Sequence, residues 1–390
     1  MLISITYITF TGLLLGYICK KIKFPSLFGM IIAGILIGPH MLNLIDVSVL
    51  NISAEIRKIA LIIILIRAGL KLSVDDLKKV GRPAILMCFV PATIEVIGMI
   101  IFAPMLLGIT YLEAAVLGAV IGAVSPAVIV PRMIKLIDEG RGTNKGIPQM
   151  ILAGASVDDV FVIVLFTTFT SLAQGGSVSV KEFINIPISI ITGIIIGLLI
   201  GAFLVLWFNK FHMRDSVKVI IILGVSFIFT FVEDKFGMII PFASLIAVMA
   251  LGLMIRRKKQ DLAIRLSSKY DKLWVVAEIF LFVLVGASVE ISSLKTAGVS
   301  AVMLILCVLI FRMLGVYVCT LGTKLDIKER LFCMLAYTPK ATVQAAIGGL
   351  PLAMGLACGN IVLTVSVIAI MITAPLGAFA IDMTYKKFLN

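Results

Sequence analysis

Two adjacent carboxylates, Asp158 and Asp159, stand in the apolar run Ala153–Phe166, AGASVDDVFVIVLF. An acidic residue at the centre of a membrane helix costs about 2.5–3.5 kcal/mol on insertion scales, so such a pair is by default an ion or proton site. The two side chains project about 100° apart on a helix and must face different neighbours. Further charges lie inside apolar runs at Glu95, Arg312 and Lys340. Buried charges pair or face water, so two cations against three anions predict one polar cluster. A small alkali cation requires hard oxygen ligands. Carboxylate, the hydroxyls of Ser125 and Ser156, carbonyls freed around Ser125-Pro126, and water could supply them. A desolvated carboxylate holds either a proton or a metal cation, and the two compete. A pure salt-bridge scaffold is the plainer alternative. Arg67 and Glu278 form a separate couple, expected to pair structurally or to wall a cation path.

The elements that must position these residues are set by composition. Of 390 residues, 61% are hydrophobic and 14% charged, against about 25% charged in soluble domains. Apolar runs of about 20 residues recur along the whole chain, which predicts an all-α polytopic membrane protein. Spans are expected near 2–19, 26–39, 54–72, 84–107, 112–135, 148–173, 187–209, 216–232, 238–255, 273–289, 297–321, 328–350 and 359–381. The first is read as a retained span. The longest polar stretch, Arg256–Lys272, is expected to be a linker. Of the 34 Lys and Arg, 26 adjoin connections after odd-numbered spans and 5 adjoin the others, with Arg67, Arg312 and Lys340 inside spans. By the positive-inside rule the N-terminus is outside and the C-terminus cytoplasmic. The net charge of +13 therefore reflects topology and is not a nucleic-acid signal. The six Cys are scattered without a C-x-x-C, which argues against a disulfide or metal framework. No Walker motif, nucleophile elbow or H-E-x-x-H appears, so a hydrolase or ATP-driven pump has no support.

Thirteen spans divide as six, one and six, and an offset of seven inverts topology, as in many secondary transporters. Corresponding spans should then share oddities. The fifth, GAVIGAVSPAVIVP, is interrupted by Pro126 and Pro131; the twelfth, MLAYTPKATVQAAIGGLP, by Pro339, Gly348, Gly349 and Pro351. Proline removes a backbone donor and kinks or breaks a helix. Freed backbone is tolerated at depth only where it lines a cavity or site. Two inverted six-helix repeats with two crossed discontinuous helices follow, with the carboxylate pair at their crossing. Gly193, Gly197 and Gly201 form a small-residue stripe on the seventh span, suited to close helix packing.

The motifs AVSPAVIVP, GASVDDV, EIFLFVLVGASVEI and YTPKATVQAAIG, in that order across nearly the whole chain, resemble the monovalent cation/proton antiporters with a double-aspartate motif. The likeness is strongest to the NHA-type sodium/proton exchangers. It implies a homodimer with a dimerisation part (1–72 and 216–289), a linking helix (187–209) and a mobile ion-binding core (84–173 and 297–381) that moves elevator-like. It further implies Asp159 as the ion and proton carrier, holding the transported sodium, and Asp158 as its variable partner, paired with a basic residue. Here the basic position is Arg312, where well-known electrogenic relatives have lysine. Arginine effectively never loses its proton, so one proton per cation and electroneutral exchange are expected, unless Lys340 titrates. Glu95 could balance Arg312 or Lys340.

The function expected is sodium or lithium for proton antiport in the plasma (inner) membrane, without cofactors. The alternatives are potassium/proton antiport, electrogenic exchange, a sodium-coupled solute carrier, and a channel or sensor. Membrane lipids are natural partners. The Arg256–Lys272 stretch could sense pH or anionic lipid, although a solvated cytoplasmic loop is the simpler reading.

Overall fold

A computed structural model describes residues 1–22, 24–71, 81–175, 180–211, 213–236, 241–289 and 291–389, and within these not the side chains of 156, 180–187 and 291–297. The described secondary structure is helical throughout, and each of the thirteen expected spans is occupied by helix. In chain order the helices are α1 (Leu2–Lys21), α2 (Ser26–Ile37), α3 (Val47–Asn51), α4 (Ser53–Lys71), α5 (Arg82–Met87), α6 (Val90–Leu107), α7 (Tyr111–Ile121), α8 (Pro126–Asp138) and α9 (Ile147–Gln174). They continue as α10 (Val180–Lys210), α11 (Asp215–Phe236), α12 (Ser244–Lys258), α13 (Gln260–Ala287), α14 (Ile291–Thr320), α15 (Ile327–Ala336), α16 (Thr342–Ile347), α17 (Leu350–Ala353) and α18 (Gly359–Phe388). Among the described residues, eight spans are long and apolar enough to cross a bilayer by length and composition. The interrupted twelfth and the short α2 and α12 fall below that length.

The chain divides into two compact units. The first comprises Met1–Arg57, Asp75–Phe169 and Ile279–Asn390 and contains Glu95, Asp158, Asp159, Arg312 and Lys340. Its two discontinuous spans are built alike. Each opens on a capping box, Thr110 with Glu113 before α7 and Asp326 with Glu329 before α15. In such a box the cap side chain and the third residue satisfy each other's orphan backbone donors. Each then runs 10–11 residues as helix, unwinds at Gly122–Ser125 or Tyr337–Ala341, and resumes as α8 or α16. Pro126 sits at the first position of α8, where its missing N–H costs nothing. Pro131, expected as a second interruption, lies inside continuous α8. In the twelfth span the Gly348-Gly349 pair does make a second break, between α16 and α17.

The second unit comprises Lys58–Val74 and Thr170–Glu278. In it α10 packs on α12 through the glycine stripe: a Cβ on Gly193 would meet the Ala243 carbonyl at 2.6 Å, and one on Gly201 the Leu251 carbonyl at 2.8 Å. Only glycine permits that approach. Arg256–Lys272 is not a linker, since α12 runs to Lys258 and α13 begins at Gln260. Leu262, Ala263, Leu266 and Tyr270 are buried on one face of that extension, and the Tyr270 hydroxyl donates to the Val219 carbonyl at 2.9 Å. An amphipathic period thus hides in a stretch whose composition reads as loop.

Candidate ion-binding site

The unwound stretch of the fifth span creates a backbone problem. The Gly122 carbonyl would bond the amide of residue 126, which is proline and has none. The amide that Ile121's carbonyl would meet, Ser125 N–H, instead donates to the Pro339 carbonyl at 2.8 Å, which is where the two discontinuous spans cross. Buried carbonyls left this way need other donors. Arg312 on α14 supplies one to Gly122. Gln344 on α16 supplies two, from Nε2 to the carbonyls of Ile121 (3.1 Å) and Ala123 (2.8 Å). The carbonyl of Ser125 accepts from Val128 and Ile129. The carbonyls expected to be free ion ligands around Ser125-Pro126 are therefore largely occupied. What remain are side-chain oxygens.

Asp158 and Asp159 lie on α9 beside this stretch, and both are buried. Asp158 Oδ2 accepts the Val124 backbone N–H at 2.7 Å and Arg312 Nη2 at 2.9 Å. Arg312 is held on every nitrogen: besides Nη2, Nε donates to the Tyr337 carbonyl at 2.6 Å and Nη1 to Glu95 Oε2 at 2.8 Å. Its guanidinium also lies over the Tyr337 ring, 5.0 Å from the centroid, and the Tyr337 hydroxyl donates to the Met87 carbonyl at 3.0 Å. Glu95 Oε2 receives Lys340 Nζ as well, at 2.6 Å. Glu95 thus balances both cations, where the sequence left the choice open. Arg312, Lys340, Glu95 and Asp158 all have 0% side-chain exposure.

The charges in this network cancel, two against two. Asp159 is the fifth charge, and among the described residues it makes no ion pair. Its Oδ1 is buried without a hydrogen-bond partner, as are Ser125 Oγ, Asp158 Oδ1, Thr342 Oγ1 and Gln344 Oε1. An isolated buried carboxylate is too costly to leave ionised and uncompensated. It demands a proton or a cation, and hard oxygens suit an alkali ion. The side chain of Ser156 lies outside the described residues. Gln344 and Thr342 were not singled out from the sequence; the signal was there, as neutral polar residues immediately after the Pro339 interruption. Arg67 bonds Asp271, at 2.8 Å from Nε and 2.7 Å from Nη2, and not Glu278 as expected.

A family model described as "Sodium/hydrogen exchanger, transmembrane" matches residues 8–387. The chain is 33% identical over its whole length to sodium/hydrogen exchanger 9B2 of Xenopus tropicalis, covering 75% of that protein. Over 94% of its length it is 31% identical to sodium/hydrogen exchanger 9B2 of Homo sapiens, covering 70%. Its fold is similar to the solved structure of the sodium proton antiporter MjNhaP1 from Methanocaldococcus jannaschii at pH 8, with a TM-score of 0.84 and 22% identity over 99% of both chains.

Proposed function

The chain belongs to the sodium/hydrogen exchanger family, whose members are transporters and not enzymes, and from that premise we propose that Asp159 is the residue on which sodium and the proton alternate. The supporting observation is the charge balance. Arg312, Lys340, Glu95 and Asp158 neutralise one another within hydrogen-bond distance, and Asp159 stands outside that set. Occupancy of Asp159 by either H+ or Na+ leaves the site equally neutral, so either loaded form can cross the membrane and the bare carboxylate cannot. That exclusion couples the two fluxes.

One proton then returns for each sodium, and exchange is electroneutral. Arg312 keeps its charge throughout, so Asp158 remains an ionised partner and carries no proton. Lys340 lies 2.6 Å from Glu95, and the one-for-one reading takes it to keep its proton through the cycle. Lithium, smaller but equally hard, is the second substrate. Residues 84–173 and 297–381 form the mobile core and move elevator-like against a dimerisation part, 1–72 and 216–289, linked by 187–209, in a homodimer. The protein resides in the plasma (inner) membrane with its N-terminus outside and C-terminus in the cytoplasm. Annular lipid, including anionic species, surrounds the exposed apolar faces.

Purified protein in proteoliposomes with an entrapped pH dye tests the reading. Sodium should drive dye dequenching in wild type and not in Asp159→Asn, with potassium inactive in both. An imposed membrane potential should move no protons or sodium by itself. Voltage-driven transport would refute one-for-one exchange, and an active Asp159→Asn would refute the site.

A further inference from the structure

Gln344 is wholly buried, and both of its amide hydrogens are committed to the fifth span, on the Ile121 and Ala123 carbonyls. Two acceptors at one end of a planar amide fix its plane. The flipped amide would set oxygen against two carbonyl oxygens, so the orientation follows from the partners themselves. Oε1, on the same carbon as Nε2 and in the same plane, is therefore fixed in place and has no donor. A buried carbonyl oxygen without a partner is costly, and a fixed orphan beside a charged site has a reason to be there.

The same stretch of backbone carries a second orphan, Ser125 Oγ, two residues beyond the Ala123 carbonyl that Gln344 grips. On the other side of that stretch the Asp158 carboxylate holds Val124 N–H, and its neighbour Asp159 also has an unpartnered oxygen. The carbonyls of Ile121, Gly122, Ala123 and Ser125, by contrast, are already bonded. A cation entering here finds these side-chain oxygens open.

We propose that the amide oxygen of Gln344 is a ligand of the transported cation, and that its two N–H bonds preset it for that purpose. An amide oxygen is a hard donor suited to an alkali ion. Being neutral, it adds coordination without adding charge, so one proton can still replace one cation on Asp159. The inference rests on the reading of Asp159 as the exchange site.

Apparent KM values for sodium and lithium in proteoliposomes test it, with thermal stabilisation of the solubilised protein by each ion as an equilibrium readout. Gln344→Leu and Gln344→Asn should each raise the sodium KM by roughly 10–100-fold, the range lost when a metal site's supporting groups are removed. They should also change the ratio of sodium to lithium KM, because the two ions differ in radius and reach the oxygen differently. Loosened packing alone would move both ions in parallel. Parallel shifts, or none, in the variants that fold overturn the proposal, and Gln344→Asn decides alone if Gln344→Leu does not fold. An active Asp159→Asn would instead overturn the exchange-site reading. With Asp159→Asn dead and the ion ratio unmoved, only the role of Gln344 falls.

Discussion

Two arginines inside apolar spans show how differently one residue type can be used. Arg312, in the first unit, has no exposure, and neither do the two carboxylates it binds. Arg67, in the second, is 20% exposed, its partner Asp271 is 41% exposed, and Lys71 shares that carboxylate at 2.8 Å. Arg312 is held by a Tyr337 carbonyl, a Gly122 carbonyl, Glu95 and Asp158 at once. Arg67 hydrogen-bonds the Asp271 carboxylate and lies 5.2 Å from the centroid of the Trp274 ring. The first is a keystone whose removal strands Asp158 and leaves Glu95 to Lys340 alone. The second is an edge pair, screened by solvent.

The largest separation should come from deleting each cation. Arg312→Gln leaves Glu95 with Lys340 alone and Asp158 without a cation. Breaking a buried pair from one side typically costs about 3–5 kcal/mol, so a fall of many degrees in the detergent melting temperature is expected, with loss of exchange. Arg67→Gln should cost about 0–1 kcal/mol, the usual worth of an exposed pair, and leave the melting curve nearly unmoved. Comparable losses from the two would refute the contrast.

Arg312→Lys asks a finer question of the same site. Lysine keeps the charge but cannot reach four acceptors with a guanidinium's fixed fork. It can also shed its proton when desolvated, as arginine cannot. The variant should fold less stably than wild type and more stably than Arg312→Gln. Its exchange should acquire a dependence on imposed voltage if the lysine proton is carried. Transport that stays insensitive to voltage would mean that charge fixation by Arg312 does not set stoichiometry.

The difference between the two regions also marks what the sequence could disclose. Thirteen spans and two interrupted ones were legible because hydropathy and proline act locally, within one helix. The capping boxes Thr110–Glu113 and Asp326–Glu329 were equally local, in a spacing that marks a helix start. Charge balance disclosed one polar cluster without its pairings, and the Arg312–Asp158 pair was legible only through the family resemblance. Glu95 remained open because one carboxylate oxygen can accept from two cations. Gln344 was invisible for a physical reason: a neutral amide disturbs neither hydropathy nor charge balance, and its meaning appears only once the fifth span's broken backbone lies beside it. Arg67 was assigned to Glu278 because Asp271 fell in a stretch read as loop. The buried face of Leu262, Leu266 and Tyr270 makes that stretch helix and brings Asp271 under Arg67.

Lys71 gives the smallest effect and the cleanest test of screening. Its ammonium is half exposed and shares Asp271 with Arg67. Removing it leaves Asp271 still paired, so Lys71→Ala should change stability by no more than a few tenths of a kcal/mol, the low end for exposed pairs. Interactions between exposed charges weaken as the screening length falls from about 10 Å at 0.1 M salt to about 3 Å at 1 M. Melting temperatures of wild type and Lys71→Ala, measured in 0.1 M and 1 M choline chloride to avoid a transported cation, should therefore converge at the higher salt. A difference that persists or widens would place Asp271 in a drier setting than its exposure implies, and would make the second unit's cluster more like the first's.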